Sequence, residues 1–123
     1  MKIKTSELTG AALDWAVAKC EELVYETPAD FLLDLVSGGV VNYSTDWSQG
    51  GPIIEREQIT VGADGIGWCA GIPWDGDWIS GFVQRGDTPL IAAMRCYVAS
   101  ELGDEVEIPD AIRQEIPEFG ESK

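Results

Sequence analysis

The fold of this chain is decided by residues 88–103, TPLIAAMRCYVASELG. The threonine and proline at the start provide an N-cap and a first helical residue, and the final glycine is typical of the position after a last turn. The segment therefore predicts a helix over Leu90–Leu102, in which Arg95 is the only charge before Glu101. Because such a helix is apolar nearly all round, we expect it inside the domain or against a second subunit.

Three further helices are expected upstream of this segment. Apolar residues recur at three- and four-residue steps over 8–24, with charged residues on the other side, which predicts an amphipathic helix. A threonine–proline start and a Gly-Gly end predict a short helix over 27–36. A third helix is expected over Ile53–Gln58, and it could begin as early as Asp46 because Pro52 would then still lie near the first turn.

Short apolar runs separated by turn residues predict the strands. They are 59–61, Ile66–Ile72 and Trp78–Val83, with a surface loop at Gln84–Asp87 before the last helix. Strands that follow one another through turns pair antiparallel, so the chain is expected to be an α+β protein. We predict a small antiparallel sheet of about three strands, covered by helices on both faces.

Acidic residues dominate the charge and concentrate at one end. The chain has 123 residues, with 22 Asp and Glu against 8 Lys and Arg and a net charge of −14, and eight of the acids lie in the last 23 residues. We expect a single α+β domain over 1–105 and a partly ordered acidic C-terminal tail over 106–123, with a short helix near Asp110–Gln114. Such an excess of acids repels phosphate backbones, which argues against a nucleic-acid partner.

The residue types present argue against an enzyme active site and against a metal site. The chain has no histidine, which removes the commonest general base and the commonest metal ligand. The acid pair Asp75 and Asp77 lacks the further ligands of a calcium loop. We therefore expect no catalytic residue, no metal and no cofactor.

Cysteine usage and hydropathy indicate the compartment. Three cysteines, at positions 20, 69 and 96, lie in apolar runs, as expected for buried thiols of a reduced cytoplasmic protein. No run approaches the ~18 apolar residues that span a bilayer. We expect a cytoplasmic protein without a membrane partner.

Residues 43–52, YSTDWSQGGP, crowd hydroxyls, aromatic rings and glycines together. Hydroxyls and amides at a helix N-terminus bind carboxylates or phosphates, and glycines let a ligand approach the backbone. The same residues could instead form an N-cap and a turn, with Trp47 in the core. In the binding interpretation the aromatic rings stack on a base, the hydroxyls and glycine amides form hydrogen bonds, and arginines bind anionic groups. The candidate ligand-binding residues are Tyr43, Ser44, Thr45, Asp46, Trp47, Gly50, Gly51, Arg56, Arg85 and Arg95.

Four segments carry a resemblance to a known family. They are KTSELTGAALDWAVAKC (4–20), YSTDWSQGGPIIER (43–56), TPLIAAMRCYVAS (88–100) and LGDEVEIP (102–109). Together they resemble the NinX-like family of small proteins from lambdoid and related tailed phages and, more distantly, the phage α-β-α sandwich domain. The chain departs from the family pattern in two segments. Residues 21–41 are longer than expected for the family, and residues 81–87 stand where a shorter segment is expected before the last helix.

The resemblance implies a phage or prophage accessory protein without an established biochemical activity. Small accessory phage proteins often counter host defence, and a similar role for this chain is an analogy from that context. We expect a non-catalytic protein that binds and sequesters a small anionic ligand, such as a nucleotide-derived host defence signal, in the host cytoplasm. It is expected to be a homodimer or higher oligomer, through the 90–99 helix or a sheet edge. The alternative is an inhibitor of a host protein, whose acids imitate the charge of DNA.

Overall fold

The computed structural model describes residues 1–23, 25–37, 41–63, 65–72 and 83–112. In chain order the elements are β1 (Lys2–Lys4), a 3-10 helix (Thr5–Glu7), α1 (Gly10–Cys20), α2 (Pro28–Val36), α3 (Trp47–Glu57), β2 (Thr60–Ala63), β3 (Trp68–Gly71), β4 (Gln84–Gly86), α4 (Pro89–Leu102) and β5 (Glu105–Glu107). They form a three-stranded antiparallel sheet, a two-stranded sheet and four helices. The predicted α+β class is confirmed.

Helix α4 is the central element of the fold. It packs against all three strands of the larger sheet and against α1 and α3. The Thr88 hydroxyl caps its first turn by accepting a hydrogen bond from the Ile91 amide at 3.1 Å, and Gly103 ends it with a φ of +91°. Eight of its apolar residues are buried, whereas Ile91 is partly buried and Leu102 at its last turn is exposed, so most of its apolar surface is covered within the chain.

The other three helices form where helices were predicted, but with different bounds for α1 and α3. Helix α1 is shorter than the predicted 8–24, because Glu22 takes a left-handed φ of +64° after its last turn. Helix α2 begins with a capping box between Thr27 and Asp30, as its sequence predicts. Helix α3 uses the earlier of its two predicted starts, but Pro52 is its sixth residue and so lies beyond the first turn.

The larger sheet has the strand order β2-β3-β4, with Val61 opposite Ala70 and Cys69 opposite Arg85. Its third strand is therefore at Gln84–Gly86, where a surface loop was predicted, and that prediction was wrong. Gly86 permits the strand to lie against α4, since a Cβ there would be 2.6 Å from the Ala92 nitrogen. The predicted strand over Trp78–Val83 lies outside the described residues except for Val83, which is not in a strand.

A second sheet joins the two ends of the described chain. Strands β1 and β5 pair antiparallel, with Lys2 opposite Glu107 and Lys4 opposite Glu105, so opposite charges face each other across the pair. The predicted domain boundary at residue 105 falls inside β5, and Ile108 beyond it is fully buried. Residues 106–112 are thus part of the folded domain. Residues 113 and 114 of the predicted tail helix lie outside the described part.

Candidate functional site

Asp46 uses both carboxylate oxygens to begin α3. Its Oδ1 accepts hydrogen bonds from the Ser48 amide at 2.9 Å and the Ser48 hydroxyl at 2.7 Å, and its Oδ2 accepts one from Gln49 Nε2 at 3.1 Å. The hydrogen bond from the Ser48 hydroxyl lowers the pKa of Asp46 most, and the bond from the Ser48 amide lowers it further. The N-terminus of α3 is thus capped by a carboxylate of this chain, and Thr45 beside it is exposed.

Tyr43 and Ser44 face the core. Both side chains are buried, and the Ser44 amide donates a hydrogen bond to Asp14 Oδ1 at 2.9 Å. Burial raises the pKa of Asp14 to about 6, although the hydrogen bond from the Ser44 amide partly opposes this rise. This contact holds the segment before α3 against α1. In this arrangement the Tyr43 ring is not available for stacking on a base.

The two glycines of α3 have different surroundings. A Cβ on Gly50 would lie 2.5 Å from the Tyr43 carbonyl oxygen and 2.6 Å from Leu90 Cδ1. A Cβ on Gly51 would meet nothing nearer than Trp47 Cε3, at 3.9 Å. Gly50 therefore serves the close packing of α3 on α4, whereas Gly51 is not constrained by packing.

Trp47 and Arg56 lie on opposite sides of α3. They are nine residues apart, about two and a half helical turns and roughly 13 Å along the axis. Trp47 is 53% exposed, whereas the Arg56 guanidinium bonds to both carboxylate oxygens of Glu21, at 3.2 and 2.6 Å, and to Glu57 at 2.8 Å. The predicted combination of a stacking ring and a nearby guanidinium does not form here.

Arg85 and Arg95, in contrast, come together. Arg95 extends from α4 and donates from Nη1 to the Arg85 carbonyl and from Nε to the Leu8 carbonyl, each at 2.7 Å. Both arginines line a surface cavity of about 500 Å³, called the arginine cavity here. The described residues that line it are Ser6, Ile66, Gly67, Val83, Gln84, Arg85, Gly86, Asp87 and Arg95.

A second cavity meets the first at two shared residues. It has a volume of about 620 Å³ and is lined by Lys4, Ser6, Gln84, Asp104 and Glu105. We call it the Lys4 cavity. Ser6 and Gln84 line both cavities, so the two cavities adjoin at these residues, and we call the pair the cleft.

The charge of Arg95 is only partly compensated by its neighbours. Burial lowers its pKa, while the charges of Asp87 and Glu7 oppose that shift. Within the described ranges no carboxylate forms an ion pair with it, and its two hydrogen bonds use two of the five N–H donors of a guanidinium. A half-buried guanidinium with unused donors is suited to bind an anion.

Metal and thiol chemistry have no geometric support in the described residues. No group of three or more His, Cys, Asp or Glu side chains among them could hold a metal ion. Burial raises the pKa of Cys20 and of Cys96 to about 12, so both remain protonated and unreactive near neutral pH. The helices that are described are too short or too polar to cross a membrane.

The sequence analysis named both arginines as candidates, but it named none of the other residues that line the cleft. Ser6, Gln84 and Lys4 come from separate segments, and only the packing of β4 between α4 and the smaller sheet brings them together. The polar run Gln84–Asp87 between apolar elements was the one available signal, and it was interpreted as a loop.

Residues 4–101 match the family model described as Bacteriophage P22, NinX. The match covers about four-fifths of the chain and confirms the resemblance found in the sequence. It includes both arginines of the cavity and ends before Asp104 and Glu105. The comparison with curated proteins gives no significant match.

Proposed function

The chain belongs to the Bacteriophage P22 NinX family, and from that premise we propose a phage accessory protein that binds and sequesters a small anionic ligand without catalysis. The ligand lies in the arginine cavity. The single observation that supports this proposal is that Arg85 and Arg95, from β4 and α4, line one cavity. Two arginines that line one cavity, in a chain of net charge −14, are suited to bind an anionic group.

The size of the cavity supports a small ligand. A volume of about 500 Å³ lies within the range of roughly 300–1,000 Å³ that small-molecule sites occupy. A nucleotide-derived host defence signal has the required anionic groups and agrees with the phage context. Recognition then depends on the phosphate, because Tyr43 is buried and Trp47 does not line the cavity.

The proposed setting is the cytoplasm of the infected host, which suits three cysteines that form no disulfide. We propose that an oligomer would form through the edge strand β2, because most of α4 is already buried against other elements of the same chain.

The test measures ligand binding by the wild type and by two variants, each of which removes one arginine charge. Calorimetric titration and thermal shift with inorganic phosphate, pyrophosphate and linear and cyclic nucleotides should give at least one binder for the wild type. Arg85→Gln should weaken that binding at least tenfold. Arg56→Gln, which removes the same charge from α3, should leave it within about twofold. Lack of any binder at millimolar concentration, or equal loss in both variants, would overturn the proposal.

A further inference from the structure

Gln84 occupies the junction of the arginine and Lys4 cavities. It lines both of them, and its Oε1 is buried without a hydrogen-bond partner among the described residues. Buried acceptors in folded proteins are nearly always paired, and an orphan one calls for an explanation. Because this oxygen is shielded from solvent, the Gln84 side chain has to rotate to present it to an N–H or O–H donor in the cleft, and such a donor would supply the missing partner.

Charge changes sign across this junction. Among the described residues, the arginine cavity has Arg85 and Arg95 against Asp87, and so a net positive lining. The Lys4 cavity has Lys4 against Asp104 and Glu105, and so a net negative wall. A ligand with an anionic group at one end and hydrogen-bond donors at the other matches this distribution.

We infer that Gln84 is a specificity residue: the ligand presents an N–H donor to its Oε1 while the anionic group lies at Arg85 and Arg95. This inference rests on the proposed function and narrows it to anions that also carry an amino or amide group. Nucleoside phosphates whose base has an exocyclic amino group belong to that class. Carboxamide and carboxylate oxygens are the usual acceptors for such amino groups.

The test compares ligands that differ only in the amino group. The probes are AMP against purine riboside 5′-monophosphate, and GMP against IMP, titrated into the full chain. In the pair that binds, the wild type should prefer the amino-bearing member by about tenfold, the effect of one added hydrogen bond. Equal affinity within every pair would overturn the inference and leave the proposed function intact. If inorganic phosphate and all nucleotides fail to bind, the proposed function fails too.

Variants of Gln84 test whether this side chain causes the preference for the amino-bearing nucleotide. Gln84→Met keeps the length of the side chain but has no carbonyl acceptor, so it should bind both members of a pair equally. Gln84→Glu keeps an acceptor oxygen and should retain the preference, with lower affinity for both members because the added charge repels the anion. A preference that survives in Gln84→Met would overturn the role of Gln84. The ligand pairs on the wild type remain decisive if either variant fails to fold.

Discussion

The carboxylate of Asp14 accepts a hydrogen bond from the Ser44 amide at 2.9 Å and joins α1 to the segment that leads into α3. Asp14 is 3% exposed, and no basic group contributes to its pKa. Burial therefore dominates, and its pKa rises from 3.8 to about 6. The contact fixes the position of the segment but places a carboxylate where its charged form is unfavourable.

This carboxylate should make stability depend on pH with an unusual sign. Because the folded pKa exceeds the unfolded value, the contribution of Asp14 is fully present below pH 3.8 and is lost as the pH rises through about 6. Asp14→Asn keeps an oxygen for Ser44 but cannot ionise. Its free energy of unfolding relative to the wild type should therefore rise between pH 4 and pH 7, by about 2 kcal/mol. Urea unfolding at several pH values measures this difference.

Asp46→Asn is the matched control, since hydrogen bonds from Ser48 lower the pKa of Asp46. The contribution of that carboxylate is present above its unfolded pKa and disappears as the pH falls. The Asp46→Asn difference should therefore have the opposite sign. Parallel pH profiles of Asp14→Asn and the wild type would contradict the burial argument.

The two neighbouring glycines of α3 should respond oppositely to the same substitution. Gly50→Ala places a Cβ 2.5 Å from the Tyr43 carbonyl oxygen, and overpacking of this kind costs about 1–3 kcal/mol. Gly51→Ala meets nothing closer than 3.9 Å and should stabilise the helix by up to about 1 kcal/mol. Thermal unfolding compares the two. Equal effects would show that Gly50 is not held against Tyr43 and Leu90.

Elements with local signals could be predicted from the sequence, and elements formed by distant pairing could not. The capping residues Thr27 and Thr88 mark the starts of α2 and α4 because their bonds reach only three residues along the chain. Strand β4, by contrast, has the composition of a turn and becomes a strand through pairing with β3. The β1–β5 sheet is invisible for the same reason, as its strands have three residues each and lie at opposite ends of the described chain.

The contrast between local signals and distant contacts also explains why the predicted site at residues 43–52 did not form as expected. Residues 43–52 are crowded in sequence, but α3 turns Trp47 away from Arg56, and Tyr43 packs inward. The arginines that do meet are ten positions apart on different elements, and their contact depends on how β4 packs on α4. Composition could suggest arginines for an anion, whereas their grouping required the tertiary structure.

The Tyr97 hydroxyl should stabilise the fold through the charge of Glu21. It donates a hydrogen bond to Glu21 Oε2 at 2.5 Å and accepts one from Arg56 Nη2 at 3.1 Å. Burial raises the pKa of Glu21, but the bonds from Arg56 and Tyr97, together with the Arg56 charge, leave it lowered. Tyr97→Phe should therefore cost about 1.5 kcal/mol at pH 7, and less as the pH falls and Glu21 becomes protonated.

A double-mutant cycle isolates this interaction. Tyr97→Phe and Glu21→Gln should couple by about 1 kcal/mol in urea unfolding. Tyr25→Phe removes a similar hydroxyl, one that donates to Asp34 at 2.9 Å, and should combine additively with Glu21→Gln. Additive behaviour of Tyr97→Phe and Glu21→Gln would show that this hydrogen bond does not contribute to stability.

The residues after β5 should contribute to stability as core residues do. Ile108 and Ile112 are fully buried, and the chain amino group donates to the Ile108 carbonyl at 2.8 Å. Ile108→Ala or Ile112→Ala should each destabilise the protein by about 2–5 kcal/mol, as buried large-to-small substitutions do. Leu33→Ala is the control, because that side chain is 66% exposed and its loss should change stability by less than about 0.5 kcal/mol. If all three variants unfold at the same urea concentration as the wild type, residues 106–112 form a tail that does not support the fold.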